Sequence, residues 1–134
     1  MTVKTLDHVN IRTALLERTY AFYTDLLGLR LTPFPGRKDV ETGGWLVDQT
    51  ERPVVHVAHV TAQYGDGLEG TPAARGSGAI HHVAFDCDDY DGLHGRLERE
   101  RRILRTNEVP SIGLRQIFVE DPNGITVELN FRAS

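Results

Sequence analysis

The sequence predicts an α+β fold of two βαβββ modules, with mixed sheets curving around a cleft. Three observations predict it. The chain says the same thing twice: His8 in Asp7-His8-Val9-Asn10-Ile11 is answered 74 residues later by His82 in His81-His82-Val83-Ala84-Phe85. His56 in Pro53-Val54-Val55-His56-Val57 is answered 72 residues later by Glu128 in Thr126-Val127-Glu128-Leu129. Each half runs through one order of local signals, β-α-β-β-β, and the polar positions of its strands fall on one sheet face.

The first module covers residues 1–60. Lys4 to Arg12 alternates polar and apolar and reads as a half-buried strand, with Val9 and Ile11 pointing one way and His8, Asn10 and Arg12 the other. Leu15 to Leu27 carries Leu15, Leu16, Tyr20, Phe22, Tyr23, Leu26 and Leu27 at helical spacing, and Gly28 supplies the left-handed residue that ends the helix. Arg30 to Phe34 is a short strand closed by prolines, and Gly44 to Gln49 and Pro53 to Val60 are two more. Residues 61–78, with Gly65, Gly67, Gly70, Pro72, Gly76 and Gly78, read as a linker or flap.

The second module, 79–134, repeats the order. Ala79 to Cys87 is a strand and Tyr90 to Arg102 a helix. Ile103 to Asn107 is short and extended, and Leu114 to Glu120 and Ile125 to Phe131 are strands around the turn Asp121-Pro122-Asn123-Gly124. Trp45 precedes His56 by 11 residues and Ile117 precedes Glu128 by 11, which equates Trp45 with Ile117.

Composition narrows the function classes. With 40% apolar and 25% charged residues, the 134-residue chain can bury a core and keep an ordinary soluble surface. A net charge of −4 argues against nucleic acid and anionic membranes, which need a basic footprint. No apolar run reaches the roughly 18 residues of a membrane span, and the start lacks a secretory h-region. The single cysteine, Cys87, has no partner for an internal disulfide, in keeping with a reducing cytoplasm. Its acidic neighbours Asp86, Asp88 and Asp89 raise a thiol pKa and leave it chemically idle.

The four answering residues carry the chemistry. Three imidazoles and a carboxylate suit a first-row divalent ion and not calcium or magnesium. His8, His56, His82 and Glu128 are therefore the expected ligands of one divalent transition metal, iron, zinc, nickel, manganese or cobalt, with positions left open for a bidentate substrate. A lone strand histidine is more often a surface or hydrogen-bonded core residue, and His59, His81 and His94 take that reading. Asn10, Arg12, Trp45, Arg115 and Gln116, with Arg37, are candidate substrate contacts.

With these residues the chain resembles the vicinal oxygen chelate superfamily, which includes glyoxalase I, extradiol dioxygenases, fosfomycin-resistance transferases, methylmalonyl-CoA epimerases and bleomycin-resistance proteins. The resemblance spans essentially the whole chain. It rests on Asp7-His8-Val9, on Ala21-Phe22-Tyr23-Thr24-Asp25-Leu26-Leu27-Gly28-Leu29, on His81 to Phe85, and on Asp121 to Glu128. It implies paired modules around a metal cleft, ligands at His8, His82 and Glu128, and a homodimer whose sites are shared between chains. His56 falls where glyoxalase I has a glutamate that serves as ligand and base, a departure from strict glyoxalase I chemistry. Phe118 falls where extradiol dioxygenases carry a tyrosine, ten residues before the last glutamate, and counts against ring cleavage.

The leading expectation is a metal-dependent lyase or isomerase acting on a small substrate with vicinal oxygens through a metal-stabilised enediolate, with Glu128 and His56 as catalytic residues. The alternatives are an extradiol-type iron dioxygenase, with His56 outside the ligand set, and a non-catalytic binder of the bleomycin-resistance kind.

Overall fold

The computed structural model describes residues 1–63 and 75–133. The chain divides into two compact units, Met1–Ala74 and Arg75–Ser134. Most of the predicted linker, including Gly65, Gly67, Gly70 and Pro72, lies outside the described residues. Each unit is a βαβββ module, so the predicted α+β fold is the one observed.

In the first unit β1 (Val9–Thr13) leads into α1 (Leu16–Ala21), which widens into a π-helical turn at Phe22–Leu26. Strands β2 (Arg30–Thr32), β3 (Gly43–Val47) and β4 (Pro53–His59) follow. The sheet order is β1-β4-β3-β2, with β1 parallel to β4 and the remaining pairs antiparallel. The first helix ends where Gly28 takes φ +77°: its N–H reaches the Thr24 carbonyl and that of Leu29 reaches Tyr23, a paired cap that needs a left-handed residue. The core face of the sheet shows Ile11, Leu46, Val55 and Val57, buried with Leu16, Phe22, Tyr23 and Leu26 of the helix.

The second unit repeats the design. It has β5 (Val83–Cys87), α2 (Tyr90–Arg99), β6 (Arg105–Val109), β7 (Leu114–Glu120) and β8 (Thr126–Arg132), in sheet order β5-β8-β7-β6 with β5 parallel to β8. Its core is Leu97 of α2 with Ile117, Val119, Val127 and Leu129, all fully buried. The turn before β8 is knotted by Asp121, whose Oδ1 accepts the backbone N–H groups of Asn123 and Ile125 at 2.8 Å each.

Three things differ from the sequence reading, two because of the partner strand and one because of the backbone at a helix end. The first strand of each module starts late, at Val9 and Val83 instead of Lys4 and Ala79. The strands they pair with begin only near Pro53 and Thr126, and the ladders open at Val9–Val55 and Val83–Val127. His8 and His82 therefore stand on the arms just before their strands. The equation of Trp45 with Ile117 is also corrected. A bulge between Leu46 and Val47 adds one residue to the first unit, so Trp45 lies opposite His56 while Phe118, not Ile117, lies opposite Glu128. Finally, α2 ends at Arg99 instead of Arg102, because Arg101 takes the left-handed turn with φ +57°.

Among the described residues no helix is long and apolar enough to cross a membrane.

Candidate functional site

Even-numbered residues of β1 and β4, and odd-numbered residues of β3, face away from the first unit's helix. That face carries Asn10, Arg12, Trp45 and His56, and His8 joins it from the arm. The rings of His8 and His56 stack at 3.6 Å with planes 14° apart, and Trp45 stacks on His56 at 5.2 Å and 20°. Phe34 stands crosswise to both, 6.3 Å from Trp45 and 6.0 Å from His56. A cavity of about 410 Å³ opens beside this stack, lined chiefly by Asn10, Arg12, Phe34, Arg37, Trp45 and His56. Arg12 donates its Nε–H to Asn10 Oδ1 at 3.1 Å.

On the second unit the corresponding face carries Gln116, Phe118, Glu128 and Asn130. Here hydrogen bonds replace stacking. Asn107 donates to Gln116 at 2.8 Å, Gln116 donates to Asn130 at 3.0 Å, and Asn130 donates to Glu128 Oε2 at 2.9 Å. The direction follows from chemistry: an ionised carboxylate only accepts, so Asn130 must turn its amide N–H₂ toward Glu128 and its oxygen toward Gln116. Glu128 Oε1 remains, 3.4 Å from His82 Nε2.

The histidines share a pattern that bears on metal binding. His8 Nδ1 is bonded to Asp7 Oδ2 at 2.6 Å. His82 Nδ1 shares a proton with His81 Nδ1 at 2.9 Å. His56 keeps its Nε2 buried without a hydrogen-bond partner. His8 and His82 are anchored through Nδ1, and all three rings offer Nε2, the usual arrangement for an imidazole ligand. Burial, and then the charge of His8, hold the His56 pKa below the ordinary histidine value, which favours the neutral, ligating form. The Asp7 carboxyl is held low by its bond to His8. Two ligand atoms each about 2.0–2.2 Å from one ion, at roughly 90–110°, lie about 3.0–3.5 Å apart, and the 3.4 Å between His82 Nε2 and Glu128 Oε1 is of that size. The donor set fits a first-row divalent ion.

The structure brings the expected residues together as two pairs, His8 with His56 in the first unit and His82 with Glu128 in the second. Within either unit the described residues gather no group of three ligand-type side chains. Arg12, Asn10 and Trp45 join the first pair, and Gln116 joins the second. Arg115 does not: strand alternation turns it to the helix side with buried Ile117 and Val119, where its guanidinium lies 3.8 Å above the Tyr90 ring. Adjacent residues of a strand cannot share a face, so Arg115 and Gln116 were never compatible as co-contacts of one substrate. Asn107 and Phe34 went unnoticed, Asn107 because cross-strand register is invisible in the sequence and Phe34 because it follows a three-residue strand.

His59 bonds Thr61 at 2.7 Å, and His94 stacks on Tyr90 at 5.3 Å. Burial first, then Asp86, push the Cys87 thiol up to about 11, so it stays protonated at neutral pH.

Comparison with known proteins agrees with this fold. The family model of the glyoxalase/bleomycin resistance protein/dioxygenase superfamily matches residues 5–129, and the chain belongs to that superfamily. Similar solved structures include a virulence protein of Salmonella typhimurium, at a TM-score of 0.72 and 14% identity over 99% of this chain and 100% of that one. They also include lactoylglutathione lyase from Agrobacterium tumefaciens (TM-score 0.65, 16% identity, 98% and 96% coverage). A third is the fosfomycin resistance protein FosX from Listeria monocytogenes (0.66, 15%, 98% and 96%). At these identities the likeness is one of fold. No curated protein matches the chain in sequence.

Proposed function

We propose that the chain is a divalent-metal-dependent enzyme acting on a small substrate with neighbouring oxygens, by lyase or isomerase chemistry. The observation that carries this reading is the common presentation of Nε2 by His8 and His82, each anchored at Nδ1, and by His56, whose Nε2 is buried without a partner, with a glutamate that has one oxygen tied and one exposed to His82. His8, His56, His82 and Glu128 would hold the ion. When bound, the ion supplies Lewis acidity to the two substrate oxygens. Glu128 Oε1, once released from the ion, would take a proton from the substrate carbon and return it to the neighbouring carbon, while Oε2 stays on Asn130 and keeps the carboxylate aimed. Such an isomerisation moves one proton between the two carbons and one between their oxygens, and needs no oxidant. Phe118, opposite Glu128, has no hydroxyl to take part in proton transfer, which favours this chemistry over ring cleavage.

Among the described residues each unit gathers two of the four candidate ligands, and a structural or catalytic ion needs three or four. We place the complement in a second copy, His8 and His56 of one chain with His82 and Glu128 of the other. The arms that carry His8 and His82 support a covered surface there, since Val3, Leu6 and Ile80 are 89%, 74% and 64% exposed in the single chain.

Elemental analysis of the purified protein tests the metal: about one ion per chain is expected, and none after metal is supplied would move the reading to a non-catalytic binder. Mixing His56→Gln and Glu128→Gln chains tests the sharing. Exchange between dimers regenerates an intact site only if each site draws on two chains.

A further inference from the structure

Across the second unit's sheet one row of side chains runs from cation to anion. Arg105 of β6 lies opposite Phe118 of β7, and Phe118 lies opposite Glu128 of β8. The pairing puts all three on the face that turns away from the helix, together with Asn107, Gln116 and Asn130. The two ends of the row keep different company. Glu128 is tied to Asn130 and faces His82. The Arg105 guanidinium lies over the face of the Phe118 ring, 4.1 Å from its centre. A contact of that kind restrains the cation and uses none of its five N–H donors.

Among the described residues no carboxylate balances that charge. Of the two arginines that the strands place on this face, Arg132 is paired with Asp86 at 2.9 Å, whereas Arg105 makes neither a hydrogen bond nor an ion pair with the described residues. Glu120, on the same face, is held by Arg75 at 3.1 Å, and Glu108 is turned to the helix side opposite Arg115. Asn107, two residues from Arg105 on the same face, donates one amide N–H to Gln116 and keeps the other. An exposed guanidinium fork with an amide N–H beside it matches the planar, two-oxygen face of a carboxylate. One positive charge also balances one carboxylate, whereas a phosphate group brings nearly two negative charges.

The geometry points to Arg105, with Asn107, as the seat of a substrate carboxylate. The Phe118 ring centre is 6.3 Å from that of His82 and 4.1 Å from the guanidinium, so the cation lies within about 10 Å of the His82 ring. The Arg105 and Glu128 backbones are two strand spacings, roughly 10 Å, apart. The substrate class is therefore a small acid that holds its neighbouring oxygens at one end and a carboxylate several bonds away at the other. This rests on the proposed function in placing the neighbouring oxygens at His82 and Glu128; the carboxylate seat itself needs no metal.

Two titrations test the seat and the substrate class. Chelator-treated, isotope-labelled protein is titrated with butanoate and with butanamide at constant ionic strength, and the side-chain N–H resonances of arginine, asparagine and glutamine are followed. Butanoate should move the Arg105 Nε–H and the Asn107 amide saturably, and butanamide, without the charge, should not. No saturable shift, an equal response to butanamide, or equal shifts at exposed Arg99 and Arg101 overturns the seat. Cobalt(II)-loaded protein is then titrated, through its absorption spectrum, with 2-hydroxysuccinate, 2-hydroxyglutarate, 2-hydroxyadipate and 2-hydroxyhexanoate. The best of the three diacids should bind about fivefold or more tightly than 2-hydroxyhexanoate, which lacks the far carboxylate. Arg105→Gln should erase that gain and leave 2-hydroxyhexanoate unchanged, and Arg105→Lys should restore part of it. A gain absent at all three lengths, or one that survives Arg105→Gln, overturns the substrate class. Protein that binds butanoate at Arg105 yet takes up no cobalt keeps the seat and loses the enzyme reading, and the substrate class with it; protein that takes up cobalt and ignores butanoate keeps the enzyme reading and loses the seat.

Discussion

Opposite His56, on the neighbouring strand of the first unit, stands Trp45; opposite Glu128 in the second stands Phe118. The two positions are equivalent in frame and differ in service. Trp45 lies flat on its histidine, whereas Phe118 leaves its glutamate to a row of amides and instead carries the Arg105 guanidinium 4.1 Å over its ring. The chemistry of the two groups explains the difference. An imidazole ligand offers a single nitrogen, and any hydrogen bond to it would block it; stacking restrains the ring through its faces and leaves the in-plane lone pair clear. A carboxylate has two oxygens, so one can be given to Asn130 while the other stays available.

The largest effect that would break the comparison is on metal affinity. Glu128→Gln removes the only formal negative charge of the four candidate ligands. It should weaken binding of cobalt(II), followed by its absorption spectrum, by about a thousandfold or more, beyond the 10–100-fold typical of a ligand's orienting partner. His56→Gln removes a neutral donor and should cost less. Equal losses would show that the two half-sites contribute alike.

Stability comes next. Phe118 is 4% exposed and Trp45 only half-buried, so Phe118→Ala should destabilise by about 3–5 kcal/mol and Trp45→Ala by less. Chemical denaturation of both variants checks the order. If Trp45→Ala were the costlier, the ring stack would be the structural element and the Phe118 contacts the dispensable ones.

The amide row gives a smaller, sharper test. Asn130→Ala leaves Glu128 in place and frees its Oε2, so cobalt(II) affinity should fall by about 10–100-fold. The absorption spectrum should shift as well, because a carboxylate freed at both oxygens can bind through both. Loss of affinity with an unchanged spectrum would mean that Asn130 supports the fold and not the orientation of Glu128.

Much of this frame was legible. Period-two alternation located all three long strands of the two sheets' centres, and β7 came out residue for residue at Leu114–Glu120. The repeat singled out four ligand-type residues, and the structure gathers His8 with His56 in the first unit and His82 with Glu128 in the second. What alternation cannot see is a partner. The late starts at Val9 and Val83, the bulge at Leu46–Val47 that makes Phe118 the counterpart of Trp45, and the run from Asn107 through Gln116 to Asn130 all depend on which residues face each other across strands. Arg115 was a different kind of miss, since its odd position against the even positions of Gln116 and Phe118 already assigned it to the helix side.

The two helix ends supply the smallest effect. After α1, Gly28 takes φ +77°, and the N–H of Leu29 reaches back to Tyr23. After α2, Arg101 takes φ +57°, and the N–H of Arg102 reaches back five residues to Leu97, one fewer than the six spanned after the π-helical turn. Both helices end on a left-handed residue, once the one that adopts that backbone freely and once one that does not. The missing glycine is also why the second helix reads three residues too long in the sequence. Arg101→Gly relieves the left-handed strain, worth about 1–2 kcal/mol, at the cost of a more flexible unfolded chain, so a net stabilisation of about 0.5–1 kcal/mol is expected. Gly28→Ala should destabilise by about 1 kcal/mol, since no atom lies within 4 Å of the added Cβ and backbone strain is the whole effect. Opposite signs at the two caps, read as shifts in denaturation midpoint at constant slope, would make residue choice the only difference between them; the same sign would mean that Arg101 makes contacts which outweigh its backbone.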